Sequence, residues 1–210
     1  MRFYLLLVGL FGVVASLFAQ YQEATEAEKA KIAGSITGAS GAMNTMICDF
    51  TQVKELSFMD EKATSEGKMY YKKENKIRWE YTKPYKYVFS TDGKDVSMTT
   101  GDRTNKTPVK SNRLFGEISK IMIGSVSGKG LVGSPDFDTQ FLVGKDGYKL
   151  QLTPLKKEIK DIFSAINLFV DKSDSRVHTV ELVEKSGDRT VISLKNIKIN
   201  TTIDEELFSN

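Results

Sequence analysis

The sequence holds few of the residues that usually build reactive centres. It has one Cys, one His and one Trp among 210 residues. A single Cys excludes an internal disulfide and any Cys-clustered zinc or iron–sulfur site. A single His leaves nothing for a His-rich metal site and little for a His-dependent triad. Charge of one sign is also scarce. Lys plus Arg number 30 against 27 Asp plus Glu, a formal net charge of +3, too small to argue for nucleic acid. Apart from the first residues, no apolar run approaches the length of a membrane-spanning helix. Hydrophobic residues make up 40% and charged residues 27%, which excludes wholesale disorder and a multi-span membrane protein.

The start of the chain is an exception. Met1-Arg2 supplies a positive head, and Leu5 to Phe18 carries no charge. Ala15 and Ala19 are the small residues a peptidase selects. The pattern predicts a secretory signal peptide over residues 1–19, cut near Ala19–Gln20; an uncleaved anchor is the alternative, for which the run is short. Residues 20–210 are then one exported domain. The lone Cys48, within Ile47-Cys48-Asp49-Phe50, reads as a small buried hydrophobe.

Along the rest of the chain, periodicity separates helix from sheet. Residues 22–45 open with Glu23, Glu26 and Glu28 and continue with Lys29 and Lys31, an order that suits a helix dipole. Ala24, Ala27 and Ala30 with Ile32 and Ile36 suggest its apolar stripe, and Gly34, Gly38 and Gly41 suggest a break. From about residue 46 the period becomes two. Ile77, Trp79 and Tyr81 alternate with Lys76, Arg78 and Glu80, and Tyr85, Tyr87 and Phe89 follow the same rule. Turn signals such as Glu74-Asn75 and Asp92-Gly93 recur about every ten residues. That spacing fits antiparallel hairpins and is too short for helical crossovers. Residues 111–123 return to helical spacing, with Ser111 or Asn112 as cap and Leu114, Ile118, Ile121 and Met122 as one stripe beside Phe115. Glycines from Gly124 to Gly133 mark a loop. Five more strands follow, and Ile203–Phe208 closes the chain. The expectation is a mainly β (α+β) fold of about 10–11 antiparallel strands, with one helical region before them and one inserted midway.

No catalytic constellation emerges. His178 shares a strand face with Val180 and Leu182 on simple alternation. Ile123-Gly124-Ser125-Val126 lacks a flanking glycine of the nucleophile elbow. Gly128-Lys129-Gly130 is only a fragment of a dinucleotide motif. Asp204-Glu205-Glu206 reads as surface charge. Tyr85-Lys86-Tyr87 interleaves aromatics with base, but alternation places the lysine on the face opposite the tyrosines. What persists is apolar area: a curved sheet with a bulky inner face, and an apolar helix with glycine-rich flanks. Either the helix covers an apolar container, or it plugs the sheet permanently.

The stretch from Gly67 to Pro84, with Ile77-Arg78-Trp79-Glu80-Tyr81 at its centre, resembles the LolA-like family of periplasmic lipoprotein carriers. Val88-Phe89-Ser90-Thr91-Asp92-Gly93 continues the pattern. Phe50-Thr51-Gln52-Val53-Lys54 upstream, Leu152-Thr153-Pro154 and Leu168-Phe169-Val170-Asp171 downstream, and Leu194–Asn200 match in order. The resemblance implies an open, incompletely closed antiparallel β-barrel with a helical lid. It implies a non-enzymatic carrier that shields lipoprotein acyl chains, needs no cofactor or metal, and works as a monomer in the Gram-negative periplasm. Its partners would be acylated lipoproteins, an inner-membrane lipoprotein-releasing ABC transporter and an outer-membrane acceptor. On this footing the cavity residues are Ile77, Trp79, Tyr81, Tyr87 and Phe89, and the lid is the N-terminal helix together with the 111–123 helix, whose lid residues are Leu114, Phe115, Ile118, Ile121 and Met122. Lys73 falls where the family keeps the basic residue that latches its lid, here followed by Glu74 rather than Pro. A carrier of another lipid, or a periplasmic sensing module on the same sheet, is the alternative.

Overall fold

The computed structural model describes residues 21–208 except 60, 112 and 129, and at 113–115 the backbone alone. The proposed signal peptide lies outside the described residues. Alternating apolar residues build one twelve-stranded antiparallel sheet in the order β1-β8-β9-β10-β11-β12-β2-β3-β4-β5-β6-β7. Two meanders make it. One runs from β2 (Thr45–Glu55) through β3 (Lys62–Lys72), β4 (Lys76–Lys83), β5 (Tyr87–Thr91) and β6 (Asp95–Thr100) to β7 (Arg103–Pro108). The other runs from β8 (Phe137–Val143) through β9 (Gly147–Pro154), β10 (Phe163–Asp171) and β11 (Val177–Glu184) to β12 (Arg189–Ile199). Pairing of β12 with β2 joins them. The edges are the two-residue β1 (Gln22–Glu23) against β8 and the polar β7. They do not pair with each other, so the barrel stays open. Lys106 and Pro108 keep the β7 edge unattractive to another strand.

Register explains the concave core. Leu150, Leu168, Val180 and Ile192 stand opposite one another across four strands and continue to Gln52 on β2. Met69 pairs with Trp79, and Tyr71 with Ile77. Since Cβ atoms alternate across a strand, these residues share one face, and nearly all are buried. Gly67 is required at its place. A Cβ there would lie 2.0 Å from the Glu80 carbonyl oxygen and 2.7 Å from the Phe50 ring. The bare backbone lets Phe50 pack on Trp79 and Tyr81, at centroid distances of 5.1 and 5.0 Å.

Helix α1 (Glu26–Ala42) is continuous through its glycines, contrary to the expected break. Gly34, Gly38 and Gly41 face open space. Each costs about 1 kcal/mol of helix propensity, and burial of Ile32 and Ile36 one turn apart offsets this. Ala27 and Ala30 are exposed, so the buried stripe is Ile32-Ile36-Ser40. Thr25 and Glu28 form a reciprocal capping box at its start, a signal passed over in the sequence.

Helix α2 (Arg113–Ser127) runs one turn further than periodicity suggested and takes in Gly124. Val109–Ser111 forms a 3-10 turn before it, and the Ser111 hydroxyl donates to the Pro108 carbonyl at 2.8 Å. Gly128 ends the helix with φ +71°, its N–H on the Gly124 carbonyl at 2.7 Å. A Cβ there would sit 2.8 Å from Ile36 of α1. Glycine therefore serves both the left-handed cap and the close helix approach. Between β9 and β10 lies the short α3 (Lys157–Lys160).

Two details depart from alternation, and a third concerns the terminal turn. A register shift beside Val177 sends Val177 inward and His178 to the surface, where its Nδ1 meets the Thr179 hydroxyl at 3.0 Å. Tyr85 lies in a turn and is exposed, because β5 begins only at Tyr87. Glu205 is surface charge, as expected, and it is also paired. It takes ion pairs from Lys72 and Lys76, while Arg78 donates to the Leu207 carbonyl at 3.2 Å. The terminal 3-10 turn Glu205–Phe208 is thereby fastened to the outer face of β3–β4, with Phe208 buried.

Candidate functional site: an apolar cavity under helix α2

The inner faces of β2, β4, β11 and β12 converge beneath α2 on a cavity of about 210 Å³. Trp79, Tyr81 and Gln52 form one wall, and Val180, Leu182, Thr190 and Ile192 form the other. Ile118, Ile121, Met122 and Ser125 of α2 form the roof. Their spacing of three, four and seven residues puts them on one helical flank. No ionisable side chain other than the Tyr81 phenol lines the cavity. That phenol donates to the Gln52 side-chain oxygen at 2.9 Å. Burial pushes its pKa up to about 12, with a further rise from Tyr87 and an opposing pull from Gln52. It is therefore neutral at any physiological pH. Tyr87 lies 5.8 Å from the Tyr81 ring, and burial raises its pKa as well.

The residues nominated from sequence occupy distinct places. Trp79 and Tyr81 line the cavity, as do Ile118, Ile121 and Met122. Ile77 is fully buried against Tyr71 and Thr91, its cross-strand partners. Phe89 stands between Trp79 and Met98. Tyr81 and Tyr87 border a shallow groove of about 240 Å³ at the rim, with Lys83, Pro84 and Tyr85. The side chains of Leu114 and Phe115 lie outside the described residues. Sequence reasoning missed the second wall: Val180, Leu182, Thr190 and Ile192. Their period-two spacing on β11 and β12 was visible, but nothing local shows that those strands face β4 across the barrel.

Lys73 reaches α1, one of the two helices expected to form the lid. Its ammonium donates to the Gly41 carbonyl at 2.7 Å, and Asn200 caps the Ala42 carbonyl at 3.1 Å. Helix α2 is instead held by Glu117, which is nearly buried. Its carboxylate accepts from Lys156 at 2.5 Å and from Lys120 at 3.2 Å. Burial would raise the Glu117 pKa, but the two lysine hydrogen bonds outweigh it and leave the group below its ordinary value. Cys48 is buried, and desolvation lifts its thiol to about 12, so it is inert. Among the described residues no group of three or more His, Cys, Asp or Glu could hold a metal. No described helix is long and apolar enough to cross a membrane.

Comparison with known proteins places this geometry. A carrier protein of Methylococcus capsulatus, "Outer-membrane lipoprotein carrier protein", is 25% identical over 169 residues, covering 78% of this chain and 76% of its own length. A protein of Cupriavidus taiwanensis with the same name is 26% identical over 201 residues, covering 92% and 88%. The crystal structure of a DUF1329 family protein from Desulfovibrio piger shares the fold with a TM-score of 0.52 at 13% identity, covering 88% of this chain and 97% of that one. The family model "Outer membrane lipoprotein carrier protein LolA" matches residues 41–210, which take in the whole of β2 to β12 and α2, and the chain belongs to that family.

Proposed function

We propose that the protein is a periplasmic carrier that shields the acyl chains of lipoproteins between the inner and outer membranes. Residues 1–19 direct export, and 20–210 act as the carrier domain. The observation that carries this reading is the apolar cavity between Trp79–Tyr81 and the Ile118-Ile121-Met122 flank of α2. Burying hydrocarbon releases roughly 0.8 kcal/mol per methylene. A chain of about 14 methylenes would gain on the order of 11 kcal/mol at full burial. A cavity of about 210 Å³ is small for such cargo, so loading requires α2 to lift. The energy of the closed α2 subtracts from cargo affinity, which is what a carrier needs if it is to let go. No covalent step, metal or nucleotide enters this cycle. The donor would be an inner-membrane lipoprotein-releasing transporter, the recipient an outer-membrane acceptor, and the carrier a monomer.

Met122→Arg tests the reading. Met122 is half-buried on the roof, so the helix tolerates the longer side chain while its charge enters the cavity. Release of radiolabelled lipoprotein from spheroplasts into a soluble complex is expected to fall more than tenfold, with a native far-UV circular dichroism spectrum at the assay temperature and a lower melting temperature from the unpaired charge. Release at the wild-type level would refute the cavity assignment.

A further inference from the structure

Helix α2 has a second lined flank. Gly116, Ser119, Lys120 and Ile123 repeat the spacing of three, four and seven residues, displaced by two positions from the flank that roofs the central cavity. They border a separate cavity of about 380 Å³, closed by Asn75 of the β3–β4 turn, Thr91 and Gly93 at the end of β5, Val109 and Gly130. Its volume falls within the range of small-ligand sites, roughly 300–1,000 Å³. None of the residues nominated from sequence lines it.

Two features distinguish it from the central cavity. First, the Ser119 hydroxyl is buried and has no hydrogen-bond partner among the described residues, a state that costs on the order of 1–3 kcal/mol unless something accepts from it. Second, Lys120 stands at its mouth with 67% of its side chain exposed. Its one described carboxylate is Glu117 at 3.2 Å, and Glu117 is held more closely by Lys156 at 2.5 Å. Lys156 also reaches Asp136 at 4.0 Å. The Lys120 charge is thus only partly neutralised, whereas the central cavity offers no cation at all.

We propose that this second cavity is a binding site for a single-chain amphiphile with an anionic head, such as a fatty acid, separate from the acyl-chain cavity under the other flank of α2. The carboxylate pairs with Lys120, and rotation of the Ser119 side chain brings its unpartnered hydroxyl to donate to it. The chain lies against Val109, Ile123 and the bare backbone of Gly116. The proposal goes beyond the carrier reading and does not depend on it.

The test is titration of the purified chain with dodecanoate and with its uncharged methyl ester, at low salt, by isothermal calorimetry. Gly116→Leu should abolish binding of both. A Cβ at 116 meets Val109 only at 3.5 and 3.7 Å, an ordinary contact, and replacing a helical glycine supports the helix, so the new side chain fills the void without breaking the fold. Lys120→Gln, an exposed change, should weaken dodecanoate about fivefold and leave the ester unchanged. Met122→Arg should leave dodecanoate binding intact. Absence of saturable binding to the wild type, or equal loss of acid and ester in Lys120→Gln, would overturn the proposal. So would loss in Met122→Arg with retention in Gly116→Leu. In that last case the fatty acid occupies the central cavity, and the carrier reading survives while this one fails.

Discussion

The two long helices lie on the same open barrel and are held by different physics. Helix α1 is fastened to the barrel at both ends by hydrogen bonds, through the Ala24 N–H on the Phe141 carbonyl at 2.9 Å just before it and through Lys73 and Asn200 at its last carbonyls. Between them it buries little more than Ile32, Ile36 and Ser40. Helix α2 buries Ile121, Ile123 and Val126 but faces cavities on two flanks. One polar tie from α2 to the rest of the chain is the Glu117 carboxylate, which accepts from Lys156. Hydrogen bonds at helix ends fix position, because they have no partner of equal quality elsewhere. Apolar packing over a void is incomplete, because the lining atoms lack partners on one side. On the proposed carrier reading, the difference makes α2 the helix that yields to cargo.

The largest expected effect breaks α1. Ile36 is 2% exposed and touches Gly128 at the end of α2. Ile36→Ala should lower unfolding stability by about 3 kcal/mol, read as a shift of the urea midpoint. Because Ile36 also supports the α2 cap, hydrogen exchange should accelerate in both helices. A loss under about 1 kcal/mol would mean that the site collapses without a void, and α1 would then be as replaceable as α2.

A smaller effect should separate the helices. Lys156→Gln removes the shorter bond to Glu117 and is expected to cost about 1–2 kcal/mol. Faster amide exchange should appear in α2 and not in α1. The pH dependence has a definite sign. The Glu117 pKa is lowered in the folded chain from its ordinary value of 4.5. Its ion pairs therefore stabilise fully above that value, and the gain is lost as pH falls through the lower folded value. Exchange in α2 should rise over that acid range in the wild type. In Lys156→Gln the rise should flatten. Glu28 of the capping box is also lowered, by the Thr25 backbone and side chain, so α1 should retain its own acid fraying in both proteins. Equal flattening in the two helices would show that Glu117 does not hold α2 in particular.

Much of the architecture could be read from local pattern, and the reasons are visible in single residues. Ile77, Trp79 and Tyr81 alternate cleanly because β4 is paired on both sides and has one dry face. Turn residues fixed the strand ends because Gly93 and Asn75 have positive φ. What local pattern missed was long-range. The continuity of α1 depends on burial of Ile32 and Ile36, which propensity does not contain. The exposure of His178 follows from one extra residue between β10 and β11, a shift that alternation cannot register. The second wall of the cavity exists only because the barrel curves β11 and β12 toward β4. Glu117 carries no local signal in the sequence. Its importance comes from Lys156, 39 positions away.

The smallest effect bears on the family's latch. In the resemblance, the basic residue at position 73 holds the lid. Here its ammonium reaches the last turn of α1, where a cation also complements the carbonyl end of the helix dipole. Lys73→Ala should therefore cost only about 0.5 kcal/mol. Amide exchange should quicken for residues 38–42 and stay unchanged across 116–127. The size is small because Asn200 still caps Ala42 and the Lys73 backbone N–H still bonds the Asn44 carbonyl at 2.8 Å. If exchange instead quickened across α2, position 73 would act on the roof of the cavity through α1, by way of the Ile36–Gly128 contact. Combining Lys73→Ala with Lys156→Gln distinguishes the two routes. Independent effects add, whereas ties on one moving unit show a coupling above about 0.5 kcal/mol. Additivity is expected, since the two lysines hold different helices.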